Sequence, residues 1–190
     1  MAKILILYGT TEGQTRKIAE RAAEIVGDSG HAVNVADGTS EVQPAGCYDA
    51  VIILASVHQG KHQASITHYV KSNFSMLERI PTAFLSVSLA AASPEPQGRT
   101  EAAKYMQDFL EQETGWTPDR SHCVAGALRY TRYDFFKRLI MRMLARHAGA
   151  QTDTTQDYEY TDWDDVTRFV EHFLSEVVES RVSVPQSRSN

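Results

Sequence analysis

The chain has 190 residues, enough for one domain with a sizeable core and too few to require a second. Nineteen basic residues against 24 acidic ones give a formal net charge of −5, which argues against nucleic acid as a general partner. Two cysteines, Cys47 and Cys123, lie in separate apolar segments without C-x-x-C spacing, so neither a disulfide framework nor a zinc site is indicated.

In chain order the pattern predicts a strand over Lys3–Tyr8, a helix over Thr15–Val26 and a strand over Ala32–Ala36. The linker from Asp37 to Tyr48, with Gly38, Pro44 and Gly46, reads mostly as loop. A strand over Ala50–Ala55, a helix over Ala64–Leu77, a strand over Thr82–Val87, a helix over Thr100–Thr114 and a strand over His122–Ala127 follow. The final helix is expected over Asp162–Glu179, opened by a capping box from Thr161 to Asp164, and Gly27 and Gly115 mark helix ends. Short apolar strands alternating with helices indicate an α/β fold, a doubly wound five-stranded parallel sheet with helices on both faces, and the strand order expected is 2-1-3-4-5. One domain over residues 1–179, interrupted by a helical insertion at about 128–157 near strand five, leaves 180–190 as a polar, disordered tail.

Three loops meet beyond the carboxyl ends of the strands, where an open α/β sheet binds its ligand. The first joins a buried strand directly to a helix and is crowded with donors: Thr10, Thr11, Glu12, Gly13, Gln14 and Thr15. Hydroxyls, an amide and unhindered N–H groups at the positive end of a helix suit a phosphate. The turn lacks the G-x-x-x-x-G-K-[ST] and G-x-G-x-x-G patterns, so a phosphomonoester is a better match than a nucleoside triphosphate or NAD. Ser56 to Gln63 forms the second loop and Ser88 to Arg99 the third. His58 and His62 stand four apart in what reads as loop, without a carboxylate or thiol beside them, so no metal is expected.

The run Ile4 to Ala19, with Tyr8, Thr10, Gly13 and Thr15 in register, resembles the FMN-binding signature of flavodoxins, departing at Ala22 where a larger aliphatic residue is usual. The likeness continues through Gly126 to Leu144, Thr152 to Thr154 and Tyr160 to Trp163. These segments resemble the flavodoxin-like, menaquinone-dependent protoporphyrinogen IX dehydrogenases. The resemblance implies FMN as cofactor, with Ser56, Val57, His58, Gln59, Gly60, Ser88 and Leu89 beside its ring and the peptide at Gly60 near the reactive nitrogen. Members usually carry an aromatic residue or arginine where His58 and Gln59 stand, and neither loop here offers Trp or Tyr.

Residues 129–149 hold six basic side chains (Arg129, Arg132, Lys137, Arg138, Arg142, Arg146) and one acid, a local charge of +5 that leaves −10 for the rest. From Tyr130 to His147 the pattern is an amphipathic helix, with Phe135, Phe136, Leu139, Ile140, Met143 and Leu144 opposite the basic face. Such a helix either lies among anionic headgroups or packs on the core with a solvated basic face. The resemblance implies an enzyme of heme biosynthesis with a porphyrinogen-like substrate and menaquinone or ubiquinone as acceptor. Arg129, Arg132 and Arg138 would hold propionates, and no residue stands out as acid or base. A soluble flavodoxin-type electron carrier and a flavin-free interaction protein are the alternatives. The first apolar run is too short for a signal-peptide core and no stretch reaches the roughly 20 apolar residues of a membrane span, so a cytoplasmic protein is expected, with peripheral contact at the inner membrane.

Overall fold

The structure is a computed structural model that describes residues 1–128 and 158–175. Five parallel strands form the main sheet: β1 (Lys3–Gly9), β2 (Ala32–Asp37), β3 (Ala50–His58), β5 (Thr82–Ser88) and β6 (Arg120–Ala125), in the order β2-β1-β3-β5-β6. This is the expected doubly wound order. A two-residue strand, β4 (Lys61–His62), pairs antiparallel with the end of β3. The central strands read as continuous apolar runs because both faces are covered. One face packs Ile4, Ile6, Ile52, Leu54 and Leu85 against α1 (Gln14–Asp28) and α5 (Trp163–Phe173). The alternate residues Leu5, Leu7, Val51, Ile53 and Phe84 meet the opposite layer, which includes α2 (Ala64–Ser72), α3 (Phe74–Leu77), Phe109 and Trp116.

Several boundaries differ from expectation for local reasons. The helix expected over Ala64–Leu77 breaks at Asn73, whose amide oxygen accepts from the Ala45 N–H at 2.9 Å while its nitrogen donates to the Tyr69 carbonyl. A side chain that competes for backbone groups ends a helix. Helix α4 (Pro96–Gln107) starts a turn early, with Pro96 in the first turn, and continues as a π-helix over Asp108–Thr114. Thr114 sustains that wide turn by donating to the Phe109 carbonyl at 2.9 Å, and Gly115 ends it at φ +69°. Gly27 lies inside α1 rather than at its end. Gly30, at φ +79°, closes that helix, with Gly30 N donating to Gly27 O and His31 N to Val26 O, the two bonds of a Schellman motif. The cap of α5 is Asp162, which accepts from the Asp165 N–H at 2.9 Å, because the Thr161 hydroxyl is used elsewhere.

Strand β6 ends at Ala125, two residues before the expected limit. The Gly126 N–H turns back to the Ser88 carbonyl, and the chain leaves through β7 (Ala127–Leu128), which pairs antiparallel with β8 (Tyr158–Glu159). The segment expected as an amphipathic helix, with Arg129, Arg132, Lys137, Arg138, Arg142 and Arg146, lies outside the described residues.

Candidate functional site at the carboxyl ends of the strands

The first loop packs closely on its neighbours. A Cβ at Gly9 would come within 2.6 Å of Ile66 Cγ1 and 3.2 Å of Gln63, so only glycine lets the turn leave β1 here. Thr10 Oγ1 accepts from the Gly13 N–H at 2.8 Å, and Gly13 takes the left-handed conformation at φ +89°. No side chain caps α1. The N–H groups of its first turn are therefore left for a ligand, at the positive end of a 15-residue helix. Thr15 is 1% exposed, and its hydroxyl has no protein partner. Buried polar groups are hydrogen-bonded almost without exception, so an orphaned hydroxyl in an uncapped helix turn points to an anion that supplies the missing acceptor.

The basic side chains of this turn do not compete for that role. Arg16 is paired with Glu20 at 2.8 Å and Lys17 with Glu159 at 3.0 Å. The Lys17 hydrogen bond, with help from the Trp163 indole, holds the Glu159 carboxyl below its ordinary range. Gln14, also buried, donates from Nε2 to Thr161 Oγ1 at 2.9 Å, and Thr161 donates to the Ala125 carbonyl at 2.8 Å. The first loop is thus tied to the end of β6 and the entry of α5.

The second loop is a hairpin, not the open loop read from the sequence. Val57 pairs with His62 and His58 with Lys61, and the two residues between them, Gln59 and Gly60, both have positive φ, at +50° and +79°. That is the two-residue turn whose twist matches antiparallel strands. Ser56, Val57, His58, Gln59 and Gly60 therefore sit on a braced ribbon, and a Cβ at Gly60 would lie 3.5 Å from Tyr105 Cε1.

His62 departs from its expected setting. It is 6% exposed, packs on Phe84 and Phe109 with centroids 5.4 and 4.7 Å away, and shares a 2.9 Å hydrogen bond with Ser86 Oγ. Burial pushes its pKa down to about 4, so the ring is neutral and pins β4 to the core. Among the described residues no group of three or more potential metal ligands comes together.

The third loop folds tightly at its start. Ser88 is buried and its hydroxyl accepts from the Ala91 N–H at 3.2 Å, which places Leu89 at the start of a short 3-10 turn over Ala90–Ala92. Gly98 of α4 supports this turn, and a Cβ there would lie 2.2 Å from Ser93 Cβ and 2.9 Å from the Ala90 carbonyl oxygen.

Two residues absent from the expected set join the loops. Gln63 Nε2 donates to Thr11 Oγ1 at 3.1 Å and to Ser56 Oγ at 2.5 Å, bridging the first loop to the second. Thr161 does the same between the first loop and β6. Neither carried a sequence signal for this role, since Gln63 reads as ordinary loop and Thr161 as a helix cap.

A flavodoxin domain model matches residues 5–155 of the chain. Over 171 residues the chain is 36% identical to protoporphyrinogen IX dehydrogenase (quinone) of Escherichia coli, covering 88% of this chain and 92% of that protein. The chain belongs to this flavodoxin-domain dehydrogenase family. A second member, protoporphyrinogen IX dehydrogenase (quinone) of Leishmania major, is 36% identical over 177 residues, 91% of this chain and 75% of that protein. Solved structures agree on the fold alone. Oxidised flavodoxin 1 of Bacillus cereus superposes with a TM-score of 0.52 at 14% identity, over 92% of this chain and 99% of that one. The rubredoxin oxygen:oxidoreductase of Desulfovibrio gigas gives 0.57 at 13%, over 96% of this chain and 37% of that one. Within the family frame, the three loops of this chain stand at the place where the doubly wound fold binds its ligand.

Proposed function

We propose that this protein is an FMN-dependent oxidoreductase that dehydrogenates protoporphyrinogen IX and passes the electrons to a quinone, a step of heme biosynthesis. The observation that carries the cofactor assignment is the buried, partnerless Thr15 hydroxyl in an uncapped helix turn. Its chemistry matches a terminal phosphate. The 36% identity to two dehydrogenases of that name supports the substrate and the acceptor.

In this reading Thr10, Thr11, Glu12, Gly13, Gln14 and Thr15 surround the phosphate. Ser56, Val57, His58, Gln59 and Gly60 on the hairpin, with Ser88 and Leu89 on the third loop, border the ring. FMN, when bound, supplies the capacity to take two electrons from a carbon–hydrogen bond and hand them on. The chain supplies position. Gln63 fixes the hairpin against the first loop, the His62–Ser86 bond fixes its return strand, and the Gln59–Gly60 turn would offer its peptide groups to the ring's polar edge.

The substrate and membrane functions fall to the basic segment, inserted at about 128–157 in a single domain of residues 1–179. Its sequence offers Arg129, Arg132 and Arg138 to propionate carboxylates, since guanidinium groups bind carboxylates in pairs. Lys137, Arg138, Arg142 and Arg146 would bring the protein to anionic headgroups beside the quinone pool, from the cytoplasmic side. Among the described residues no helix is long and apolar enough to cross a membrane.

Steady-state turnover tests the proposal. FMN-loaded protein with protoporphyrinogen and a quinone under anaerobic conditions should form fluorescent porphyrin, and omission of the quinone should stop the reaction once each FMN has taken two of the six electrons that full oxidation to porphyrin releases. Equal rates with and without quinone would refute the acceptor.

A further inference from the structure

Gln63 stands where the first two loops meet. Its carbonyl opens α2 by accepting from the Ile66 and Thr67 N–H groups, at 3.0 and 3.2 Å, which fixes the backbone from which the side chain extends. The amide nitrogen donates to Thr11 Oγ1 at 3.1 Å and to Ser56 Oγ at 2.5 Å. The amide oxygen is buried without a partner, on the side of Gly9, where it would lie 3.2 Å from a Cβ of that residue. Which end of a glutamine amide is nitrogen follows from its hydrogen bonds. Reversing this one would enclose an NH2 group with no acceptor. A leftover carbonyl oxygen is the lesser cost, so the amide gives its protons to the two hydroxyls.

A hydroxyl that accepts from an amide still has one proton to give. Among the described residues, Thr11 and Ser56 meet Gln63 only as acceptors, and neither donates to another protein group. We propose that Gln63 is a positioning residue that sets the polarity of the cofactor site: by occupying both hydroxyl oxygens, it commits Thr11 and Ser56 to donate to FMN. The inference rests on the placement of FMN proposed above, with the Thr11 proton directed to the phosphate and the Ser56 proton to an acceptor in the flavin half. A solitary hydroxyl donates or accepts by a simple rotation. One whose oxygen is held by a second group is fixed as a donor before the ligand arrives. Fixed donors select a ligand that offers acceptors at both ends and reject one that presents N–H or O–H groups there.

Nuclear Overhauser contacts in FMN-loaded wild-type protein test the amide orientation without any variant. The Gln63 Nε2 protons should show stronger contacts to Thr11 Hβ and Ser56 Hβ than to the Gly9 Hα protons. The reverse order would mean that the carbonyl faces the hydroxyls, and would overturn the proposal.

Binding of FMN and of riboflavin to the apoprotein, followed by flavin fluorescence quenching, then tests the consequence. In Gln63→Glu the carboxylate can only accept, which draws both hydroxyl protons inward. That variant should bind FMN about a hundredfold and riboflavin about tenfold more weakly, one lost donor for each tenfold. Gln63→Met leaves both hydroxyls free to rotate and should weaken FMN by no more than about threefold. A side chain that merely braces the loops gives the opposite order, since Glu still joins the two hydroxyls and Met does not. Gln63→Met weaker than Gln63→Glu therefore overturns the proposal. So does a Gln63→Glu loss confined to FMN with riboflavin unchanged, which is repulsion of the phosphate by the new charge. The placement of FMN fails separately: the double variant Thr10→Ala, Thr15→Ala should weaken FMN and spare riboflavin, and unchanged FMN affinity there would refute the placement itself.

Discussion

The Gln14 amide nitrogen lies 2.9 Å from the Thr161 hydroxyl, a contact between residues 147 positions apart that joins the start of the first helix to the start of the last. Because the Thr161 hydroxyl donates its own hydrogen bond to the Ala125 carbonyl at 2.8 Å, the first loop, the end of β6 and the entry of α5 form one hydrogen-bonded unit. Thr161→Val removes both bonds at almost constant volume and leaves a buried amide unsatisfied. That change costs about 1–3 kcal/mol. FMN affinity, measured by fluorescence quenching, should fall by roughly tenfold, and Thr161→Ser should restore most of it.

Gly98 is the point where α4 meets the third loop, and its Cβ would clash with the Ala90 carbonyl as well as with Ser93. The backbone atom cannot rotate away. Gly98→Ala is therefore expected to displace the turn over Ala90–Ala92 at a cost of about 1–3 kcal/mol, typical of overpacking. Thermal unfolding should occur at lower temperature, and backbone amide exchange should quicken at Ala90 to Ser93 more than in β1.

His62 gives the stability a pH dependence with a definite sign. Its ordinary pKa of 6.5 falls to about 4 in the folded state, because burial disfavours the imidazolium. The unfolded chain thus binds the proton first. Stability from this site is complete above pH 6.5, declines as the pH drops toward 4, and levels off below that. Urea unfolding at pH 7 and at pH 4.5 should show a loss on the order of a few kcal/mol. The double variant His62→Phe, Ser86→Ala, which replaces the pair by apolar groups, should lose that component of the decline.

The basic segment makes a prediction about lipid. Each basic side chain near an anionic surface contributes about 1 kcal/mol, and salt weakens the sum. The full chain should co-sediment with phosphatidylglycerol vesicles at low ionic strength and be released by salt. Changing Lys137, Arg138, Arg142 and Arg146 to Gln should abolish co-sedimentation and slow quinone-dependent turnover without altering FMN affinity. Wild-type protein left in the supernatant would favour a helix packed on the core and a soluble carrier.

Much of this architecture is legible from residue pattern alone, for physical reasons that also explain the misses. Strands such as Ile4–Tyr8 and Ala50–Ala55 are buried on both faces, so they stand out as apolar runs, and their parallel pairing follows from the helical crossovers between them. The donors from Thr10 to Thr15 are contiguous, so one turn suffices to bring them together. The hairpin was hidden because Gln59 carries none of the preference for positive φ that marks Asn or Asp in such turns. His62 is polar in type yet belongs to the core, since Ser86 and two phenyl rings satisfy it from distant strands and helices. Gln63, Thr161 and Asn73 act through contacts 28 to 147 residues away, or through side-chain capture of a local carbonyl. No local pattern encodes such partners.

The proposed activity rests on two half-reactions, and rapid mixing under anaerobic conditions separates them. Protein loaded with FMN is mixed with protoporphyrinogen IX while the visible flavin absorbance is followed, and the reduced protein is then mixed with menaquinone or ubiquinone. Bleaching by protoporphyrinogen, recovery by quinone, and rates of both that equal or exceed steady-state turnover are the expected result. Flavin that stays oxidised in protoporphyrinogen, yet bleaches readily with a one-electron donor such as reduced ferredoxin, would contradict the dehydrogenase and identify a carrier on the same fold.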